Sequence, residues 1–120
     1  MYGKIQLKDY HKDDKMQEII DLLKKFRDDR NWSQFHTPGN LSKSLLLEAA
    51  ELLENYQWSD DNEDIENVKD EIADVVAYAL LLCDYYGFDL KTILKAKIKK
   101  NTKKYPVSKA YGNAKKYTDL

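Results

Sequence analysis

Residues 45–58 read LLLEAAELLENYQW. Leu45, Leu52, Leu53 and Tyr56 recur at helical spacing, so the stretch is an amphipathic helix. Two carboxylates, Glu48 and Glu51, interrupt it three residues apart. Charge flanked so closely by leucine is costly to bury unless something neutralises it. A second stretch repeats the arrangement: in EIADVVAYALLLC, residues 71–83, Glu71 and Asp74 stand three apart at the head of an apolar run. Residues three apart share one helical face. Two such helices packed antiparallel would therefore turn four carboxylates toward one another. Unpaired, the four would raise one another's pKa values, and a hard dication removes that cost. Mg²⁺ fits, because it takes oxygen ligands and is commonly held between a few carboxylates and substrate phosphates. Mn²⁺ is a substitute of similar taste. Spacing alone leaves the bland alternative open, since acid pairs three apart also decorate solvated helix faces. A redox di-iron bundle would need Glu-x-x-His motifs, and neither His11 nor His36 stands at that spacing.

Helical periodicity extends on both sides. Met16, Ile19, Ile20, Leu23 and Phe26 predict a helix over 15–30. NWSQFHTPGN, residues 31–40, breaks it: Pro38 and Gly39 mark a loop, and Asn40 is a candidate cap for the helix at 41–56. Trp32, Phe35 and His36 in that loop must pack beneath something or against a ligand. A third helix is predicted over 61–86, opened by Asp60 and Glu63 as a capping box. Its core face is Ile65, Val68, Ile72, Val75, Val76, Ala79, Leu80 and Cys83. Around 75–83 it is apolar nearly all round, more than a monomer needs, which points to burial against a second copy. Gly87 supplies a helix stop and Asp89 a cap for the fourth helix, 90–103, with Leu90, Ile93, Leu94 and Ile98 inward and Pro106 beyond its end. Four helices with short connections predict an all-α four-helix bundle. The domain spans 14–106. Residues 1–13 form an arm whose YGKIQL alternates weakly, and 107–120 form a basic, aromatic tail with Tyr111 and Tyr117.

The chain of 120 residues is one domain in length. With 42% hydrophobic and 34% charged residues it is apolar enough to fold. Its net charge of −1 gives no field for nucleic acid, despite the basic tail. The charge is unevenly spread, acidic over 48–74 and lysine-rich over 91–116, an arrangement suited to metal at one place and phosphate at another. No apolar run reaches the ~20 residues that cross a bilayer, and none resembles a signal peptide. Cys83 is the one cysteine and reads as a small buried hydrophobe, which suits a cytoplasmic protein.

The pair EAAE followed by EIAD resembles the E-x-x-E…E-x-x-D signature of the all-α NTP pyrophosphohydrolases, the MazG-like group. RNWSQFHTPGNL before the first motif, YQW after it, KIKKNTKKYP after the fourth helix and the terminal KYTDL resemble the dCTP pyrophosphatase branch. The resemblance implies helical homodimers or homotetramers that split a nucleoside triphosphate between its α- and β-phosphates. It implies Glu48, Glu51, Glu71 and Asp74 as Mg²⁺ ligands and catalytic acids, one of which handles the attacking water. It further implies Lys97, Asn101, Lys104 and Tyr105 as contacts to phosphate and sugar, and Trp32, His36, Trp58 and Tyr78 as the lining of a nucleoside pocket.

The physical chemistry is compatible with those roles. Phosphoryl transfer needs positioning and charge neutralisation above all. Tyr78 lies two helical turns beyond Glu71 and could floor a pocket beside the acids. Each residue also has a structural reading: the tryptophans as packing anchors, His36 as a partner of a loop carbonyl, Tyr78 as core, and the lysines as a solvated face. The expected function is Mg²⁺-dependent hydrolysis of dCTP or a modified relative to monophosphate and pyrophosphate, in cleaning of the nucleotide pool. The alternatives are a broad NTP pyrophosphohydrolase and a non-catalytic helical dimerisation module that binds nucleotide or metal.

Overall fold

The computed structural model describes residues 2–61 and 64–120, with side chains from residue 15 onward. Among the described residues every regular element is helical: α1 (Tyr2–Asp29), a 3-10 turn (Ser33–Phe35), α2 (Pro38–Glu54), α3 (Ile65–Tyr86), α4 (Leu90–Lys104), the short α5 (Val107–Ala110) and a terminal 3-10 turn (Tyr117–Asp119). The all-α class read from periodicity is the observed one. The chain forms two compact units, Met1–Tyr86 and Gly87–Leu120. Residues 2–13 of the segment read above as an arm belong to α1, and their side chains lie outside the described residues.

In the first unit, α1 stops at a signal that the sequence reading passed over. Asn31 adopts the left-handed conformation, φ 54°. Its N–H donates to the Asp28 carbonyl (3.0 Å), and the Trp32 N–H donates to the Arg27 carbonyl (3.0 Å). These are the two bonds of a Schellman ending, which satisfies carbonyls the helix would leave open. The matching apolar contact is Trp32 edge-on to Phe26, ring centres 5.8 Å apart. The Arg30 guanidinium covers the other ring position, 3.7 Å from the Phe26 centroid.

The start of α2 differs from expectation. Pro38 and Gly39 are its first residues, not loop, and the cap is Thr37 rather than Asn40. The Thr37 hydroxyl accepts from the Asn40 N–H at 3.1 Å. Proline belongs at this position because its missing N–H is one the helix could not have used. The Asn40 side chain instead donates to the Phe35 carbonyl at 2.9 Å and ties the aromatic loop to the helix.

α2 and α3 form an antiparallel hairpin. At its closed end the Asn67 side chain donates to Asn55 across 3.1 Å. At the far end Leu41 and Leu81 line one cavity. These two pairs fix a register in which Glu48 faces Asp74 and Glu51 faces Glu71. α3 starts at Ile65, later than the 61 expected. Asp64 accepts from the Asn67 N–H and opens it; the Glu63 of the expected capping box lies outside the described residues.

The core of the unit is small: Leu41, Leu80, Leu81 and Cys83 are buried. Within the unit α3 packs against α2 and α1. Three residues expected inward are open to solvent: Leu53 is 67% exposed, Ile65 54% and Ile72 48%. Lys24 reaches across to Asp84 at 3.5 Å.

In the second unit the expected punctuation is observed. Gly87 has φ 72°, a conformation that costs glycine little. The Asp89 carboxylate caps α4 by accepting from the Thr92 N–H at 3.1 Å. Ile93, Leu94 and Ile98, read as inward, are exposed. The tail folds back on its own helix: Tyr117 sits edge-on to Tyr105, 6.1 Å between ring centres, and Lys104 lies 4.8 Å from the Tyr117 centroid.

Candidate functional site

The hairpin register brings carboxylates together. Glu48, Glu71 and Asp74 each offer an oxygen within 4.8 Å of the other two. Glu48 and Glu71 are half-buried and Asp74 is exposed. Glu51, exposed on α2, stands outside that trio yet close enough to act on both glutamates. One oxygen of Glu48 and one of Glu71 are shielded from solvent without a hydrogen-bond partner. Burial of the carboxyl, reinforced by Glu51 and then Asp74, pushes Glu48 up to about 7. Burial, and then Glu51, also raises Glu71.

A buried carboxylate oxygen without a partner is expensive, and here two lie in a group of acids. An all-oxygen, anionic donor set of this kind fits a hard dication such as Mg²⁺ or Mn²⁺. No described histidine or cysteine belongs to it.

Beside the acids lies an aromatic cavity. Its volume is about 370 Å³, and Trp32, Phe35, His36, Asn40, Leu41, Lys43, Ser44 and Tyr78 line it. A second cavity of about 250 Å³ shares Trp32, His36 and Tyr78 with the first and adds Asp74 to its wall. Asp74 and Tyr78 are four residues apart on α3, one above the other on one face. The cavities and the acid cluster therefore meet along that seam. His36 Nδ1 is buried without a partner. Burial, with Arg27 nearby, lowers the His36 pKa below its usual value, so the ring is neutral at neutral pH.

Of the expected site residues, the fold thus gathers Glu48, Glu71 and Asp74 with Glu51 alongside, and Trp32, His36 and Tyr78 around the cavities. Trp58 is 90% exposed beyond the end of α2 and lines none of these cavities. Lys97, Asn101, Lys104 and Tyr105 belong to the second unit, where their spacing sets them on one face of α4 and its end. Phe35, Asn40, Lys43 and Ser44 were not expected at the site. Phe35 carried a signal as a bulky loop residue, and Asn40 looked like a cap. Lys43 and Ser44 gave none, because a single polar residue on a helix reads as surface.

The MazG-like family profile matches residues 43–120, which hold all four acids. The chain belongs to the MazG-like family. Mouse dCTP pyrophosphatase 1 is 34% identical to it over 88% of this chain and 67% of the mouse protein. The human dCTP pyrophosphatase 1 is 32% identical over the same shares. In structure, a pyrophosphatase from Archaeoglobus fulgidus superposes with a TM-score of 0.71 at 41% identity, covering 76% of this chain and 92% of that one. With pyrophosphatases as relatives in both sequence and fold, this MazG-like chain is a nucleoside triphosphate pyrophosphohydrolase.

The acid cluster makes metal-free stability fall with pH. The folded pKa of Glu48, about 7, lies above its usual 4.5, so between those values the folded chain keeps a proton that the unfolded chain gives up. That stabilisation is whole below about pH 4.5 and disappears as pH climbs through about 7; Glu71 adds in the same direction. Scanning calorimetry in chelator should show Tm dropping from about pH 5 to about pH 8. Glu48→Gln should flatten the drop, and millimolar Mg²⁺ should reverse it. A Tm that rises over this range would contradict the crowding.

Proposed function

We propose that this pyrophosphohydrolase acts on dCTP or a modified dCTP with Mg²⁺, as a homodimer or homotetramer in the cytoplasm. Water adds across the bond between the α- and β-phosphates and releases the nucleoside monophosphate and pyrophosphate. The observation that carries the reading is the convergence of Glu48, Glu71 and Asp74 beside cavities walled by Trp32, His36 and Tyr78.

Glu48, Glu71 and Asp74 would hold the metal. When bound, it would neutralise charge on the phosphates and on the departing pyrophosphate. Glu51 stands outside the trio, and we assign its carboxylate to orient the attacking water or take its proton. Trp32, Phe35 and Tyr78 offer flat apolar surface against which a base can stack, worth about 1–3 kcal/mol per base. Lys97, Asn101, Lys104 and Tyr105 would bind phosphate and sugar. Ten of the chain's 20 basic residues, but only two of its 21 acids, lie in Gly87–Leu120, which suits that unit to an anionic ligand. The dCTP preference rests on the mammalian relatives named dCTP pyrophosphatase 1.

Oligomerisation is supported by apolar surface that the single chain leaves open. Leu46, Leu47, Leu53, Ile72 and Val76 are between 44% and 69% exposed on α2 and α3, and patches of this kind mark protein interfaces. Among the described residues no helix is long and apolar enough to cross a membrane.

Purified protein with Mg²⁺, given dCTP, dUTP, dATP and CTP, should release pyrophosphate and show its highest kcat/KM with dCTP. Glu71→Gln should lower kcat by about a hundredfold or more while the helical circular dichroism is kept. Release of single phosphates, or intact nucleotide, would refute the reaction; equal kcat/KM across the panel would refute the base preference. Sedimentation velocity at micromolar concentration should give the mass of two or four chains, and a monomer would overturn the assembly.

A further inference from the structure

Ser44 occupies a position where a helix normally places an apolar side chain. It lies one turn after Leu41, which is 2% exposed, and one turn before Glu48, so it shares the inward face of α2. It is half-buried there. A serine inside a helix usually satisfies its hydroxyl on the carbonyl four residues earlier. Ser42 does so, donating to the Pro38 carbonyl at 2.7 Å. Ser44 does not, and among the described residues its hydroxyl has no hydrogen-bond partner.

Ser44 lines the cavity of about 370 Å³. The ring of His36 lines the same cavity, with its Nδ1 shielded from solvent. Much of the remaining wall is Trp32, Phe35, Leu41 and Tyr78. A hydroxyl with no protein partner, set in a wall that is largely aromatic, suits a planar heterocycle that carries hydrogen-bonding atoms on its rim. An aliphatic group would offer the hydroxyl no hydrogen bond.

We propose that Ser44 is a binding contact for the nucleobase, its hydroxyl hydrogen-bonding the polar edge of the base in this cavity. The inference rests on the reading that the substrate is a nucleoside triphosphate, and it adds a residue that holds the base. A hydroxyl both donates and accepts, so it holds a pyrimidine by its edge in either orientation. A larger side chain at 44 would project into the base's space.

The test is steady-state kinetics with dCTP and with a deoxyribose triphosphate that lacks a base. Ser44→Ala should raise KM for dCTP by about tenfold, the loss of one hydrogen bond, with kcat within about twofold and the abasic KM unmoved. Ser44→Thr should keep the dCTP KM near wild type, and Ser44→Leu should raise it further than Ser44→Ala. An unchanged dCTP KM in Ser44→Ala overturns the proposal, as does an equal rise for the abasic compound, which would mark a purely structural role. If the wild type hydrolyses no triphosphate, the reaction reading fails by itself. Calorimetric titration with dCMP then still decides on Ser44: about tenfold weaker binding to Ser44→Ala upholds it, and equal or absent binding to both proteins overturns it.

Discussion

Carboxylates forced together on two neighbouring helices are the constraint around which the first unit is arranged. Helices that bury leucine on their facing sides would be more stable with leucine throughout. α2 and α3 instead carry Glu48, Glu71 and Asp74 in mutual reach, with two oxygens shielded and unpartnered. Such a group survives in a folded protein when protons or a cation neutralise it. Near neutral pH protons do this only in part, which leaves the cluster prepared for a dication. The register that creates the crowding is set at the ends of the hairpin, by Asn55 with Asn67 and by Leu41 near Leu81. A slip of one turn would leave the same acids in the chain and no cluster.

The aromatic half of the site is built by different means. Asn31 reverses the chain after α1, Thr37 and Pro38 start α2, and Asn40 holds the loop between them by the Phe35 carbonyl. That brings Trp32, Phe35 and His36 over Tyr78 of α3. Helix faces thus supply the charge and a capped loop supplies the stacking surface. Asp74 and Tyr78, one turn apart, join the two.

Much of this was legible in the sequence because periodicity reports which face a residue occupies. The helical class, the two acid pairs, Gly87, Asp89 and the place of Tyr78 all follow from spacing or local chemistry. Asn31 was missed because asparagine at a helix end gives a weaker signal than glycine. Thr37 was passed over because Pro38 and Gly39 look like loop, although proline is also at home in a first turn. Leu53, Ile65 and Ile72 were read as core because periodicity identifies an apolar face but not what covers it. Ser44 was invisible for a related reason: its meaning comes from a hydroxyl without a partner, and partners belong to three dimensions.

Isothermal titration of Mg²⁺ into nucleotide-free protein examines the crowding of the acids without relying on turnover. The account predicts saturable uptake of the metal near pH 7, with protons released as Glu48 gives up its own, and uptake about tenfold weaker or lost in Glu48→Gln. Equal Mg²⁺ affinity in the two proteins, with no proton release from either, would contradict it.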